Sequence, residues 1–190
     1  FDGGRSWYTA MGHTQASFSE ANFRSHLLGG LRTAAGVAGD CGDDERGMPP
    51  TAEDFEKVTL NDNTNAPMEI DVAEDGRAFY IELDGRVMMW SPTTQTTTQL
   101  IQLSVTLSHE NGLLGIQLAP DFETSNHIYL AYSANPDAAG INRVSRFTLS
   151  GNTLVDERII YTWQHQRQEC CHTGGSLDFG PDGNLYISTG

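Results

Sequence analysis

His172 stands on a stretch of small and polar residues, with Cys170 and Cys171 before it and Thr173, Gly174 and Gly175 after it. Imidazole titrates near neutral pH and so can serve as a general base without special tuning. The flanking glycines let a ligand approach the backbone closely. A loop histidine held only by hydrogen bonds or by solvent is the plain alternative. Nucleophilic chemistry is poorly supported. Ser176 lies four residues from His172 with no acid at a matching register. The chain also lacks a Gly-x-Ser-x-Gly elbow, a Walker loop and a dinucleotide fingerprint, which sets hydrolase and nucleotide chemistry aside.

The elements around His172 must hold it. Leu177 and Phe179 alternate with Asp178, Pro181-Asp182-Gly183-Asn184 supplies turn chemistry, and Leu185-Tyr186-Ile187 resumes the alternation. This spacing predicts a hairpin fed by the histidine loop. The pattern recurs from Met68 through Asp75-Gly76 to Ile81, and again from Gly115 through Pro120-Asp121 to Leu130. Aligned on Asp75, Asp121 and Asp182, the copies are 46 and 61 residues apart. Propeller blades repeat at roughly 40 to 50 residues before insertions. Further strands are predicted over 87–90, 96–101, 143–149 and 159–162, giving four per repeat; a solenoid of short hairpins is the alternative. Ten residues ahead of the turn aspartates stand Asn65, Asn111 and His172. In a propeller such loops converge at one end of the central channel, so these three are expected to face a common axial pocket.

Residues 110–122, opening on Glu110-Asn111-Gly112 and closing on Ala119-Pro120-Asp121-Phe122, carry a family resemblance together with two further motifs. These are Asn142-Arg143-Val144-Ser145-Arg146-Phe147, and His172-Thr173-Gly174-Gly175 with Gly180-Pro181-Asp182-Gly183-Asn184. Over residues 57–190 the chain resembles the soluble glucose/sorbosone dehydrogenases that use pyrroloquinoline quinone (PQQ) and calcium. The resemblance implies a mainly β fold, a partial six-bladed propeller with about two and a half to three blades in this stretch. It also implies that PQQ lies over the axial channel and that an aldose hydroxyl is oxidised, with hydride passing to the quinone. His172 matches the family's histidine base. Glu110 stands where sugar-oxidising members carry an amide, and Cys171 where they carry an acid, so Glu110, Asn111 and Cys171 are the candidate substrate-side residues. The basic contacts to the PQQ carboxylates and the calcium ligands are expected beyond residue 190, and no metal ligand is assigned in this chain. The alternative is a propeller that binds carbohydrate or a protein partner without turnover.

Residues 1–36 read as a short α/β remnant, a strand leading to His13 and a helix from Ser19 to Gly36 with Phe23, Leu27, Leu28 and Leu31 on one face. They resemble the C-terminal end of ThuA-like domains. Residues 37–56 are acidic and contain Gly and Pro, and are expected to be a linker. Asp40, Asp43, Asp44 and Glu45 lack the spacing of an EF-hand loop.

The net charge is -14. Nucleic acid is therefore an unsuitable partner, since it needs a basic footprint. No apolar run approaches the roughly 18 residues that cross a bilayer. The composition agrees with a soluble, exported protein, extracellular or periplasmic; a small sugar as the partner is what the resemblance implies, with the electron acceptor unassigned. The adjacent Cys170 and Cys171 permit a vicinal disulfide, which would stiffen the loop presenting His172, or two free thiols, and a pairing of one of them with the distant Cys41 would tie linker to propeller.

Overall fold

From Pro67 onward, nearly every strand pairs antiparallel with the next one in the chain, joined by turns whose residues were visible as Asp-Gly and Pro-Asp-Gly. The structure is a computed structural model and describes residues 19–34, 56–135, 140–168 and 170–190. The first sheet is β1 (Pro67–Val72), β2 (Ala78–Glu82), β3 (Arg86–Ser91) and β4 (Thr96–Gln102), in that order. The second is β5 (Leu113–Leu118), β6 (His127–Ser133), β7 (Ile141–Ser150) and β8 (Thr153–Gln164), also in sequence order. A third begins with the hairpin of β9 (Gly174–Phe179) and β10 (Leu185–Thr189). A short helix, α2 (Phe122–Ser125), fills the longer turn after Asp121 and ends at Asn126, a left-handed residue with φ 56°.

Apolar side chains from successive sheets meet face to face. Phe79, Ile81, Val87 and Met89 of the first sheet share one core with Ile116, Ile128, Leu130 and Phe147 of the second. On its other face the second sheet uses Ala131 and Val144, with Tyr129 and Trp163, to pack Leu177, Leu185 and Ile187 of the third. Covered on both sides, β5 and β6 are almost continuously buried.

The opening strands of the three sheets, β1, β5 and β9, lie side by side and are joined by carboxylates. Glu69 on β1 accepts the Ile116 backbone N–H at 2.8 Å and the Ser176 hydroxyl at 2.6 Å, so one side chain touches all three strands. Asp71 accepts the Leu118 backbone N–H and the Gln117 amide, each at 2.8 Å. Strand β1 therefore turns its acids toward its neighbours and leaves Met68, Ile70 and Val72 about half exposed. Successive antiparallel sheets sharing a line of first strands make this part of a β-propeller.

The chain divides into two compact units, Phe1–Val58 and Thr59–Gly190. In the first, the described residues hold α1 (Ala21–Ala34). Phe23 and Gly30 are buried and Leu27 is half-buried, whereas Leu28 and Leu31 are exposed. At about 100° per residue, Leu28 lies about 140° and Leu31 about 80° from Phe23, so the buried stripe is narrower than the expected four-residue face. The expected strand before His13, Cys41 and residues 37–55 of the expected linker lie outside the described residues. Among the described residues no helix is long and apolar enough to cross a membrane.

Candidate functional site

The loops entering β1, β5 and β9 are tied to one another in sequence. The Asn65 backbone N–H donates to Glu82 at 2.8 Å, and Glu82, almost fully buried, is ion-paired with Arg86 at 2.6 Å. The next loop docks on the first sheet through the Leu113 N–H, which donates to the Leu83 carbonyl at 2.9 Å. That loop presents Glu110, whose carboxylate accepts the His172 backbone N–H at 2.6 Å. The segment carrying His172 is thus fastened to the second sheet's entry loop across 62 residues of sequence.

The three positions that share a register do not share an environment. The Asn65 and His172 side chains are exposed, whereas Asn111 is 2% exposed. Its amide donates to the Ser108 carbonyl at 2.5 Å and accepts the Ser133 hydroxyl at 3.1 Å. As placed, Asn111 holds the shape of its loop, and the exposed carboxylate is its neighbour Glu110.

Cys170 and Cys171 are joined by a disulfide. Their sulfurs and a Glu110 carboxylate oxygen lie within 4.8 Å of one another, but the sulfurs are bonded to each other and so are not free ligands. Cys171 and His172 both have positive φ, 98° and 69°. Behind them Thr173 is buried, its hydroxyl 3.5 Å from Nε2 of His165. His165 is a buried support that sequence reasoning missed, because nothing in its spacing separates it from an exposed loop histidine. The His172 carbonyl lies so close to Gly190 that a Cβ there would sit 1.3 Å away.

Asp84 titrates below the ordinary carboxylate range: burial works against its charge, but hydrogen bonds and attraction from Arg86 outweigh it. At this end the guanidinium groups of Arg86 and Arg167 are held at Asp84 with Glu82 and at Asn142. At the opposite end of the inner strands a hollow of about 340 Å³ is lined by Asp71, Glu74, Gln117, Glu123 and Asp178, far along the strands from His172.

Residues 64–190 match the family model described as Glucose / Sorbosone dehydrogenase. The chain is 28% identical over 130 residues to the Hedgehog-interacting protein of Mus musculus, covering 60% of this chain and 19% of that protein. It is 24% identical over 149 residues to quinoprotein glucose dehydrogenase B of Acinetobacter calcoaceticus, covering 73% of this chain and 31% of the relative. Among solved structures, the PQQ-bound aldose sugar dehydrogenase of Streptomyces coelicolor superposes with a TM-score of 0.60 at 26% identity, over 70% of this chain and 40% of that one. The chain therefore spans between about a fifth and two fifths of the length of these relatives. With the matched segment taking in all three sheets and the loop that presents His172, the chain belongs to the glucose/sorbosone dehydrogenase family.

Proposed function

We propose that the protein carrying this chain is a PQQ-dependent sugar dehydrogenase in which His172 is the base for a sugar hydroxyl. The observation that carries this reading is the exposed imidazole at the joined loop end, with the exposed carboxylate of Glu110 bound to its own backbone N–H. The quinone, when bound, supplies the acceptor for the two electrons of alcohol oxidation. The residues gathered here fit the sugar side of that reaction: an imidazole to take a hydroxyl proton, and Glu110 and Cys171 beside it, with Asn111 behind them. They do not supply the cations the quinone's own carboxylates call for: Arg86 and Arg167 at this end are already held by Asp84, Glu82 and Asn142. Calcium enters this proposal only as the quinone's companion.

In this proposal the His172 imidazole nitrogen receives the hydroxyl proton, and the clasp from Glu110 keeps the ring from drifting off the substrate. Residues 1–36 would be the end of a ThuA-like domain and residues 37–56 the joint to the propeller, in an exported protein. A second reading is favoured by the similarity to a Hedgehog-interacting protein: a propeller of this family that binds a partner without turnover.

The full-length protein, reconstituted with PQQ and calcium and offered a panel of aldoses with a dye acceptor, separates the two. Dye reduction that falls by about 10²- to 10⁴-fold in His172→Ala supports the base. Undiminished reduction in that variant removes His172 from the mechanism. Sugar or partner binding with no dye reduction on any aldose overturns the enzyme and favours the second reading.

A further inference from the structure

The two residues that deliver His172 to its position are both held where an L residue is disfavoured. Cys171 and His172 have φ 98° and 69°, and neither is glycine. Such conformations persist only where the surroundings impose them. Two devices impose them here. One is the covalent link between Cys170 and Cys171, which closes a small ring around the peptide joining them. The other is the Glu110 carboxylate, which takes the His172 backbone N–H at 2.6 Å while lying within 4.8 Å of both sulfurs. The covalent restraint and the hydrogen-bonded one thus lie side by side.

We infer that the Cys170–Cys171 pair is a redox-modification site whose reduction releases the His172 backbone from Glu110 and so repositions the imidazole. Cys170 is exposed and Cys171 half-buried, so the bridge can be reached from solvent. The reductant is a dithiol. One of its thiolates attacks a cysteine sulfur, the Sγ–Sγ bond breaks, and the second thiol resolves the mixed disulfide. Two electrons and two protons pass to the cysteines, and the reductant leaves as its own disulfide. Two thiols cannot remain at bonding distance, so the sulfurs separate against the Glu110 carboxylate while the backbone at Cys171 is freed to return to negative φ. Glu110 is on this view a positioning residue, acting on His172 through its main chain. The release itself does not depend on dehydrogenase activity; only its consequence for turnover rests on the proposed role of His172.

The test is hydrogen–deuterium exchange of the full protein, read by mass spectrometry before and after native treatment with excess dithiothreitol, with alkylation to count the thiols on the peptide that contains residues 170 and 171. The expected result is a gain of two alkylated cysteines on that peptide and exchange at the His172 amide faster by on the order of tenfold, the loss of one charge-assisted hydrogen bond. Peptides from β5 and β6 should be unchanged. The Cys170→Ser, Cys171→Ser double variant should exchange like the reduced protein and ignore the reductant, and Glu110→Gln should speed His172 exchange with the bridge intact. Reduction by two thiols with unchanged exchange over 170–175 overturns the inference, as does finding both cysteines alkylated without reductant. Should the double variant not fold, chemical reduction alone decides. The exchange readout needs neither sugar nor quinone, so failure of the dehydrogenase reading and failure of this inference give different results.

Discussion

The inner strands have two ends, and they are built in different ways. At the turn end each aspartate closes on its own hairpin. Asp75 accepts the Arg77 backbone N–H at 3.0 Å and its guanidinium at 2.6 Å, and Asp182 takes the Asn184 N–H at 3.0 Å and the Tyr186 hydroxyl at 2.9 Å. These partners lie within four residues. At the loop end Asn65 reaches Glu82, Asn111 is reached by Ser133, and His172 reaches Glu110, across 17, 22 and 62 residues. The turn end is defined as soon as the hairpin forms. The loop end needs more of the chain: Asn65 and Asn111 are fixed once the two strands they precede have paired, and His172 only once the third sheet has packed on the second.

If that contrast is right, disturbing the packing of β5 on β9 must disturb the loop end most. Gly115 lies against the Gly175 carbonyl, and a Cβ added there would sit 2.0 Å from that oxygen. Backbone cannot yield as a flexible side chain would. Gly115→Ala should therefore cost about 3 kcal/mol by overpacking, the upper part of the usual range. Urea unfolding measures this, and exchange over residues 170–179 should rise while the 78–90 hairpin stays protected. A variant as stable as the parent would mean that β5 and β9 are not in contact.

A smaller effect is expected within the loop itself. Asn111→Ala leaves the buried Ser133 hydroxyl and the Ser108 carbonyl without their partner and should destabilise by about 2 kcal/mol. Unfolding by urea gives the magnitude. Asn111→Asp keeps an acceptor for Ser133 but buries an unpaired carboxylate against the Ser108 carbonyl, so at neutral pH it should destabilise at least as much as alanine. An alanine variant with unchanged stability but weakened sugar binding would return Asn111 to the substrate side.

The same contrast explains what could be read in advance. The hairpin from Leu177 to Ile187 was legible because alternation and a Pro-Asp-Gly turn are local signals. The register that aligns Asn65, Asn111 and His172 was also legible, and their loops do enter β1, β5 and β9. Their equivalence ended there: a shared register fixes backbone position, while burial depends on which sheet covers the side chain. Strand β1 shows the limit most plainly. Alternation in Met68-Glu69-Ile70-Asp71-Val72 would ordinarily turn the apolar set inward. Here the carboxylates are turned in, because the neighbouring strands present unpaired N–H groups for them to accept. The bridge between Cys170 and Cys171 was one of three open choices, beside a pairing with Cys41 and free thiols, and adjacency alone could not decide among them.

The smallest effect belongs at the turn end, and it has a definite direction in pH. Asp182 titrates below the ordinary aspartate range because the Asn184 backbone N–H, the Asn184 amide and the Tyr186 hydroxyl favour its charged form. Asp75 is also lowered: burial opposes its charge, but Arg77's hydrogen bonds and positive charge outweigh it. A folded-state pKa below the unfolded one means that the unfolded chain binds protons first as pH falls. The stabilisation is therefore present above about pH 3.9 and is lost as pH drops through the folded value. Urea midpoints measured from neutral pH downward should be level above about pH 5 and then decline, and the decline should be shallower in Asp182→Asn, which lacks the titrating group. Because Asp182 is exposed and its partners are local, the two proteins should differ little at neutral pH. Parallel profiles down to the acid limit would mean that the Asp182 charge does not stabilise its turn, and the local closure that distinguishes this end would then rest on the backbone bonds from Gly180 to Asn184 and from Gly183 to Gly180.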